Sequence, residues 1–160
     1  MSRDSRLARM AHVMVHMACH DGAATSDTIA RMLGTNPVVV RRTMAALRDR
    51  GYVASEKGPR GGWRLLRPLA DVTLLDIHRA LETASVFTLG PSAERADCTV
   101  EHTANLAILD AMDQANAALE AALGRVRLSD ILAQGLALRQ AQALAVGQPQ
   151  ACANDSAIHQ

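Results

Sequence analysis

Residues 55–68 read SEKGPRGGWRLLRP, and the reading of this stretch decides the fold. Four glycines and prolines (Gly58, Pro59, Gly61, Gly62) and three basic residues (Lys57, Arg60, Arg64) lie between Ser55 and Arg64. Short apolar runs flank them, YVA before and WRLL after. Two such runs across a glycine-rich break predict a β-hairpin, with YVASE and WRLL as strands and KGPRGG as their connection. Trp63 alternates with Leu65, so its expected role is to anchor the hairpin on a core; contact with a sugar-phosphate edge is the lesser reading.

Upstream, PVVVRRTMAALRDR (residues 37–50) predicts a helix ending at Gly51. Asn36 is a good N-cap, and Pro37 fits the first helical position, where its missing N–H costs nothing. The preceding SDTIARML carries Ile29, Met32 and Leu33, can be capped by Thr25 or Ser26, and ends at Gly34. Before that, Leu7, Met10, Ala11, Met14, Met17 and Ala18 recur at helical spacing from about Arg3 to His20. A helix, two helices joined by a tight glycine-containing turn, and a hairpin follow the order of a winged helix-turn-helix domain.

On a wheel of about 100° per residue, Val40, Thr43, Met44 and Leu47 form the inward side of the third helix. Val38, Arg42, Ala45 and Asp49 point the opposite way, with Arg41 beside them. Arginines with small or apolar neighbours suit a helix entering the major groove; the plainer alternative is a solvated basic face. The wing adds Lys57, Arg60 and Arg64 on a narrow tip that suits the minor groove. The expected DNA-contacting set is Ser26, Asn36, Pro37, Val38, Arg41, Arg42, Lys57, Arg60, Gly61 and Gly62.

Charge agrees with that assignment. Residues 1–70 carry 12 Lys/Arg against 5 Asp/Glu, a net of +7, whereas residues 71–160 carry 5 against 11, a net of −6. One half therefore suits a polyanion and the other does not. Aromatic residues are only 2% of a chain that is 49% hydrophobic, so the core is Ala, Leu, Val and Met, which favours helices. There is no apolar run of membrane-spanning length, and MSRDSRLARMAH lacks the apolar core of a secretory signal. Three cysteines, odd in number and far apart, argue against a disulfide framework. A cytoplasmic protein without membrane association is expected.

Beyond the hairpin, DVTLLDIHRALET predicts a helix with Leu74, Ile77, His78 and Leu81 on one side. SVFTLGPSAERADC loses periodicity and reads as a linker. Thr99 to Val126 form one long helix whose Ala104, Ile108, Ala111, Ala115, Ala118 and Ala122 make a heptad-like line of small residues. Leu109, Met112, Leu119 and Leu123 run beside it. Two apolar rows need partners on two sides, the chain's own domain and a second subunit; the plainer alternative is a helix draped over its own domain. RLSDILA predicts a short closing helix. The expected organisation is a winged helix-turn-helix domain (1–83), a linker (84–98), a dimerisation helix with a closing helix (99–134) and a structureless tail (135–160). The fold class is mainly α with a small β-hairpin wing.

The block IARMLGTNPVVVRRTMAALRDRGYVASEKGPRGGWRL, with its wing signature Gly58 to Trp63, resembles the Rrf2 family of bacterial transcription regulators. VTLLDIHRALE resembles the family's next helix, and the long helix running into VRLSDIL its dimerisation segment, so the resemblance covers roughly residues 5–134. It implies a homodimer on a palindromic operator, with the third helix in the major groove and the wing in the adjacent minor groove. Val39 departs from the family pattern, which often has tyrosine there, so operator detail does not carry over. The best-known branch holds an iron–sulfur cluster through three linker cysteines. Here the linker has only Cys98, and such clusters need thiolates, so no cluster and no other cofactor is expected.

Two sensor candidates remain. Cys98 precedes His102 at the start of the long helix, where the helix dipole favours a thiolate and hence a response to oxidant; an inert cysteine is the plainer reading. His12, His16, Cys19 and His20 fall at i, i+4, i+7 and i+8 of the first helix and could share a zinc or copper ion, although histidines so spaced are usually just surface and no metal is expected. The leading function is a sequence-specific DNA-binding regulator, a repressor, with a small molecule or oxidant as effector. The alternative is a winged helix used as a protein-interaction module, which would have no need of Arg41, Arg42, Lys57 and Arg60 converging from separate elements. No nucleophile–base pair, phosphate loop or carboxylate pair stands out, which argues against an enzyme.

Overall fold

The computed structural model describes residues 5–20, 23–58, 61–81, 90–92 and 98–146. Its elements are α1 (Arg6–Cys19), α2 (Ser26–Leu33), α3 (Pro37–Asp49), β1 (Val53–Glu56), β2 (Gly62–Leu65), a 3-10 turn (Leu69–Asp71), α4 (Leu74–Ala80), α5 (Thr99–Gly124) and α6 (Leu128–Val146). The architecture is the mainly helical winged helix with one antiparallel hairpin that the sequence predicts.

The starts of α2 and α3 are set by side-chain caps. Of the two candidates at α2, Thr25 is the cap: its hydroxyl accepts the Thr28 N–H at 3.1 Å. Asn36 caps α3 by accepting the Val38 N–H at 2.8 Å, with Pro37 in the first turn. Between them Gly34 ends α2 in the left-handed conformation (φ 59°), which makes the tight turn between the two helices.

The core lies where α1, α2, α3, the hairpin, α4 and the start of α6 meet. Met10, Ala11, Met14 and Met17 of α1 are buried as the spacing predicts, and so is Val13, whereas Ala18 is exposed. Val40, Met44 and Leu47 fill the inward side of α3. Ile77 and Leu81 do the same around α4, and Leu128 closes the core from α6. Unbranched Met and Leu shape this interior in place of rings; Trp63 is its sole buried aromatic side chain among the described residues.

Two boundaries differ from expectation. The α4 segment is shorter than residues 71–83: a 3-10 turn precedes it, and Thr73 forms a capping box with Asp76 that starts the helix at Leu74. The closing helix does not stop near residue 134. α6 continues to Val146, so the part of the expected tail from 135 to 146 is helical. Ala, Leu and Gln dominate that stretch and all propagate a helix once the buried first turn has nucleated it. Residues 147–160 and most of the expected linker lie outside the described residues.

A polar cluster ties the hairpin base to α4. The Tyr52 hydroxyl donates to Asp76 at 2.9 Å, and the Thr73 hydroxyl and amide donate to the same carboxylate at 2.7 and 2.8 Å. Arg67 stacks its guanidinium over the Tyr52 ring, 5.0 Å from the centroid. Burial pushes the Asp76 carboxyl up, but the Thr73 bonds, the Tyr52 bond and Arg67 together outweigh it and hold the carboxyl below its ordinary value. A depressed carboxyl contributes stability above its unfolded pKa of about 3.9, and that contribution disappears as pH falls through the lower folded value. Thermal melts from pH 5 to pH 2 are therefore expected to fall more steeply for the wild type than for Asp76→Asn. Tyr52→Phe at pH 7 is expected to lower unfolding free energy by about 1 kcal/mol in denaturant titrations. Parallel pH profiles for wild type and Asp76→Asn would contradict this account of the cluster.

Candidate nucleic-acid interface

The wing is fixed to the helix-turn-helix by a single β-bridge. Trp63 pairs with Ser55 across the hairpin, and its other backbone edge pairs with Ala24. The Ala24 N–H reaches the Trp63 carbonyl at 2.9 Å and the Trp63 N–H reaches the Ala24 carbonyl at 2.8 Å. Gly62 makes that approach possible: a Cβ there would lie 2.7 Å from the Ala24 carbonyl oxygen. Gly61 is equally constrained, since a Cβ would collide with the Glu56 carbonyl. Both glycines thus shape the wing from within it.

Trp63 is buried, and its indole N–H donates to the Ser26 hydroxyl at 3.0 Å. The anchoring role predicted for Trp63 is the one observed. Ser26 stands at the first position of α2, with its oxygen held by the indole. Asn36 and Pro37 occupy the first turn of α3, where the Asn36 carbonyl oxygen serves as the cap.

The outward face of α3 presents Val38, Arg41 and Arg42, all exposed. Arg41 and Arg42 have no hydrogen bond or ion pair among the described residues, and neither does Lys57 at the wing tip. Among the arginines engaged within the chain, Arg48 pairs with Asp49, Arg64 with Glu56 and Arg79 with Glu120. Arg64 was grouped by sequence with the wing cations, but it faces its cross-strand neighbour region at Glu56. Arg60 lies outside the described residues.

Arg31 was missed by sequence reading. It is exposed and lines a cleft between α2 and the start of α3, together with Asp27, Ala30, Gly34, Thr35 and Pro37. Its signal lay in the helical period of α2: Ile29 and Ala30 face the core, which leaves Arg31 turned outward.

The sensor candidates stand apart from this face. Cys98 is exposed at the N-cap of α5, but its sulfur makes no capping bond; its carbonyl accepts the His102 N–H at 2.9 Å. His12 and His16 pack edge to face with ring centroids 4.5 Å apart, and His16 and His20 stack at 6.3 Å. Cys19 is exposed beside them. Among the described residues no three His, Cys, Asp or Glu side chains come together as a group that could hold a metal ion. No helix among the described residues is long and apolar enough to cross a membrane.

Known proteins share this arrangement. The family model for Rrf2, described as an iron-dependent transcriptional regulator, matches residues 3–134. YwnA of Bacillus subtilis, a candidate HTH-type transcriptional regulator, is 28% identical over 129 residues, covering 81% of this chain and 96% of that protein. The crystal structure of a candidate transcriptional regulator from Lactobacillus plantarum superposes with a TM-score of 0.70 at 22% identity, over 88% of this chain and 98% of the other. CymR (YrzC), the global cysteine regulator of B. subtilis, superposes with a TM-score of 0.56 at 21% identity, over 84% and 97%. With nearly its whole described length matched, and with the wing, the helix-turn-helix and the long helix in order, the chain belongs to the Rrf2 family of transcriptional regulators.

Proposed function

We propose that the protein is a homodimeric, sequence-specific DNA-binding repressor acting on a palindromic operator, with α3 in the major groove and the wing in the adjacent minor groove. The observation that carries this is the pattern of charge pairing. Arg41 and Arg42 on α3 and Lys57 at the wing tip are exposed and have no ion pair among the described residues, so their charge is not neutralised within the chain. Unpaired cations on a rigid frame suit phosphates and guanine edges, which supply the missing acceptors.

Dimerisation is supported by α5. None of its 26 residues is buried, and Val100, Leu106, Ile108 and Leu109 stand exposed along it. The Ala111 and Ala115 positions are exposed too, and small side chains there permit close approach of a second helix. α5 meets its own domain chiefly near its C-terminal end, where Glu120 binds Arg79 and Gly124 lies against Leu75. A second copy offers cover for the rest.

The residues present do not fit an iron–sulfur cluster. The chain has three cysteines in all, Cys19 on α1, Cys98 at the start of α5 and Cys152 near the end of the sequence, and none in residues 84–97. Cluster ligation draws several thiolates to one place. The proposed regulator therefore works without that group, in contrast to the description of the family as iron-dependent.

Three outcomes are expected. Arg42→Ala should weaken operator binding by roughly 1–3 kcal/mol, whereas Lys57→Ala should weaken specific and random DNA alike and lower the salt slope by about one. Wild-type affinity in both variants would remove α3 and the wing as the DNA surface. Ala115→Glu should convert a dimer to a monomer in light scattering, since an unpaired charge in a buried helix contact costs several kcal/mol, about 3–5; a monomeric wild type would exclude the dimer. Protein purified without oxygen should be colourless and hold no stoichiometric iron or sulfide, and a cluster absorption band would refute the cluster-free reading.

A further inference from the structure

In the winged-helix part of the chain, from α1 through α4, the exposed large apolar side chains among the described residues are Val38, Val39 and Leu66. Leu66 stands alone after β2. The other two are neighbours in the first turn of α3, with Val38 63% and Val39 41% exposed. Isolated apolar residues on a surface are ordinary. This pair is different because of where it stands: Val38 shares the outward row of α3 with Arg42, four residues on, and Arg41 follows beside them.

Nothing in the fold accounts for valine at these two positions. The core side of α3 is complete with Val40, Met44 and Leu47. The start of the helix is already fixed by the Asn36 cap and by Pro37. Exposed β-branched residues are poorer helix formers than Ala, Lys or Gln, so both valines weaken the turn they occupy. What they provide is a stiff apolar surface. One χ1 angle positions all the methyls of valine, and the Val38 amide is tied to Asn36 at 2.8 Å, so little side-chain freedom is left to lose on binding.

We infer that Val38 and Val39 are specificity-determining residues that read the 5-methyl groups of thymine in the major groove, beside a guanine contacted by Arg42. This inference rests on the DNA-binding reading proposed above and names the base chemistry that reading would select. Thymine is the base that offers an apolar group on the major-groove edge, and guanine offers the acceptor pair that suits arginine. Positions four apart on a helix are separated by about 6 Å along its axis, so the methyl and the guanine lie within about two base pairs of each other. Burying a methyl against a valine also removes water from around the neighbouring guanidinium, which strengthens its bond to the base.

The test isolates the methyl group. Operator sequences are selected from a random duplex pool with the full chain, and each thymine of the selected half-site is then replaced by uracil, which lacks only the methyl. One or two positions per half-site should lose about three- to fivefold in affinity, the effect of one buried carbon. Val38→Ala and Val39→Ala should each weaken the thymine operator by a similar factor and abolish the uracil effect at one position. Both side chains are exposed and alanine is the better helix former, so the variants should melt at or slightly above the wild-type temperature. Unchanged affinity on fully uracil-substituted operator, or uracil effects that persist in both variants, would overturn the role of the valines and leave operator recognition standing. Failure to enrich any duplex would instead remove the DNA-binding reading, and this inference with it.

Discussion

The bond from the Trp63 indole to the Ser26 hydroxyl is the tie on which the placement of the hairpin against α2 depends. The hairpin is two strands of four residues, and an isolated pair of that size is marginal in water. Trp63 changes this in three ways at once. Its backbone pairs with Ser55 on one edge and Ala24 on the other, its ring enters the core, and its N–H holds the first residue of α2. The wing is therefore continuous with the start of the helix-turn-helix. Because Asn36 and Pro37 fix the start of α3 in turn, the two elements that carry the unpaired cations keep a set relation. Rigidity of this kind matters for recognition, since every degree of freedom already lost in the free protein is one that binding need not remove.

α4 plays the corresponding part on the opposite side. Its carboxylate Asp76 receives Tyr52 from the hairpin base, and its flank is stitched to the turn between α5 and α6. The Leu74 N–H reaches the Val126 carbonyl at 2.9 Å, the Leu128 N–H reaches the Val72 carbonyl at 2.9 Å, and Arg127 donates to the Ala70 carbonyl. Leu128 lies fully buried beneath these bonds. A seven-residue helix thus joins the wing to both C-terminal helices. Any change in how α5 is held has a short route of hydrogen bonds to the hairpin, through Asp76 and Tyr52.

Much of this was legible in the sequence because the signals were chemical and local. Glycine spacing marked the hairpin, Asn36 and Pro37 marked the start of α3, and the wheel separated Val40, Met44 and Leu47 from Val38 and Arg42. Where periodicity was the sole guide, the reading was less secure. Val13 is buried and Ala18 exposed because the neighbouring elements, α4, α6, β2 and the 3-10 turn, decide which stripe of α1 is covered. The length of α6 was hidden for a related reason. Residues 135–146 have no amphipathic pattern, and the packing of Leu128, Ile131 and Leu132 against the core gives that run a nucleus from which to grow. The Trp63–Ser26 bond lies across 37 residues of sequence, and no local pattern announces it.

The division of labour among the cations follows from the same geometry. Arg48 pairs with a carboxylate of its own helix and Arg64 with Glu56 of the facing strand, and exposed pairs of this sort add little stability. Their effect is instead to neutralise charge where none is wanted, on the wing's outer edge and at the far end of α3. Asp49 in particular belongs to the outward row of α3, and its pairing with Arg48 leaves the N-terminal part of that row as the strongly positive part. Arg41 and Arg42, next to the valine pair, and Lys57 at the wing tip keep their charge unneutralised among the described residues. In the DNA-binding arrangement proposed above, a groove lined by phosphates would be drawn to the first turns of α3 and to the wing tip, setting the orientation on the duplex before any base edge is touched.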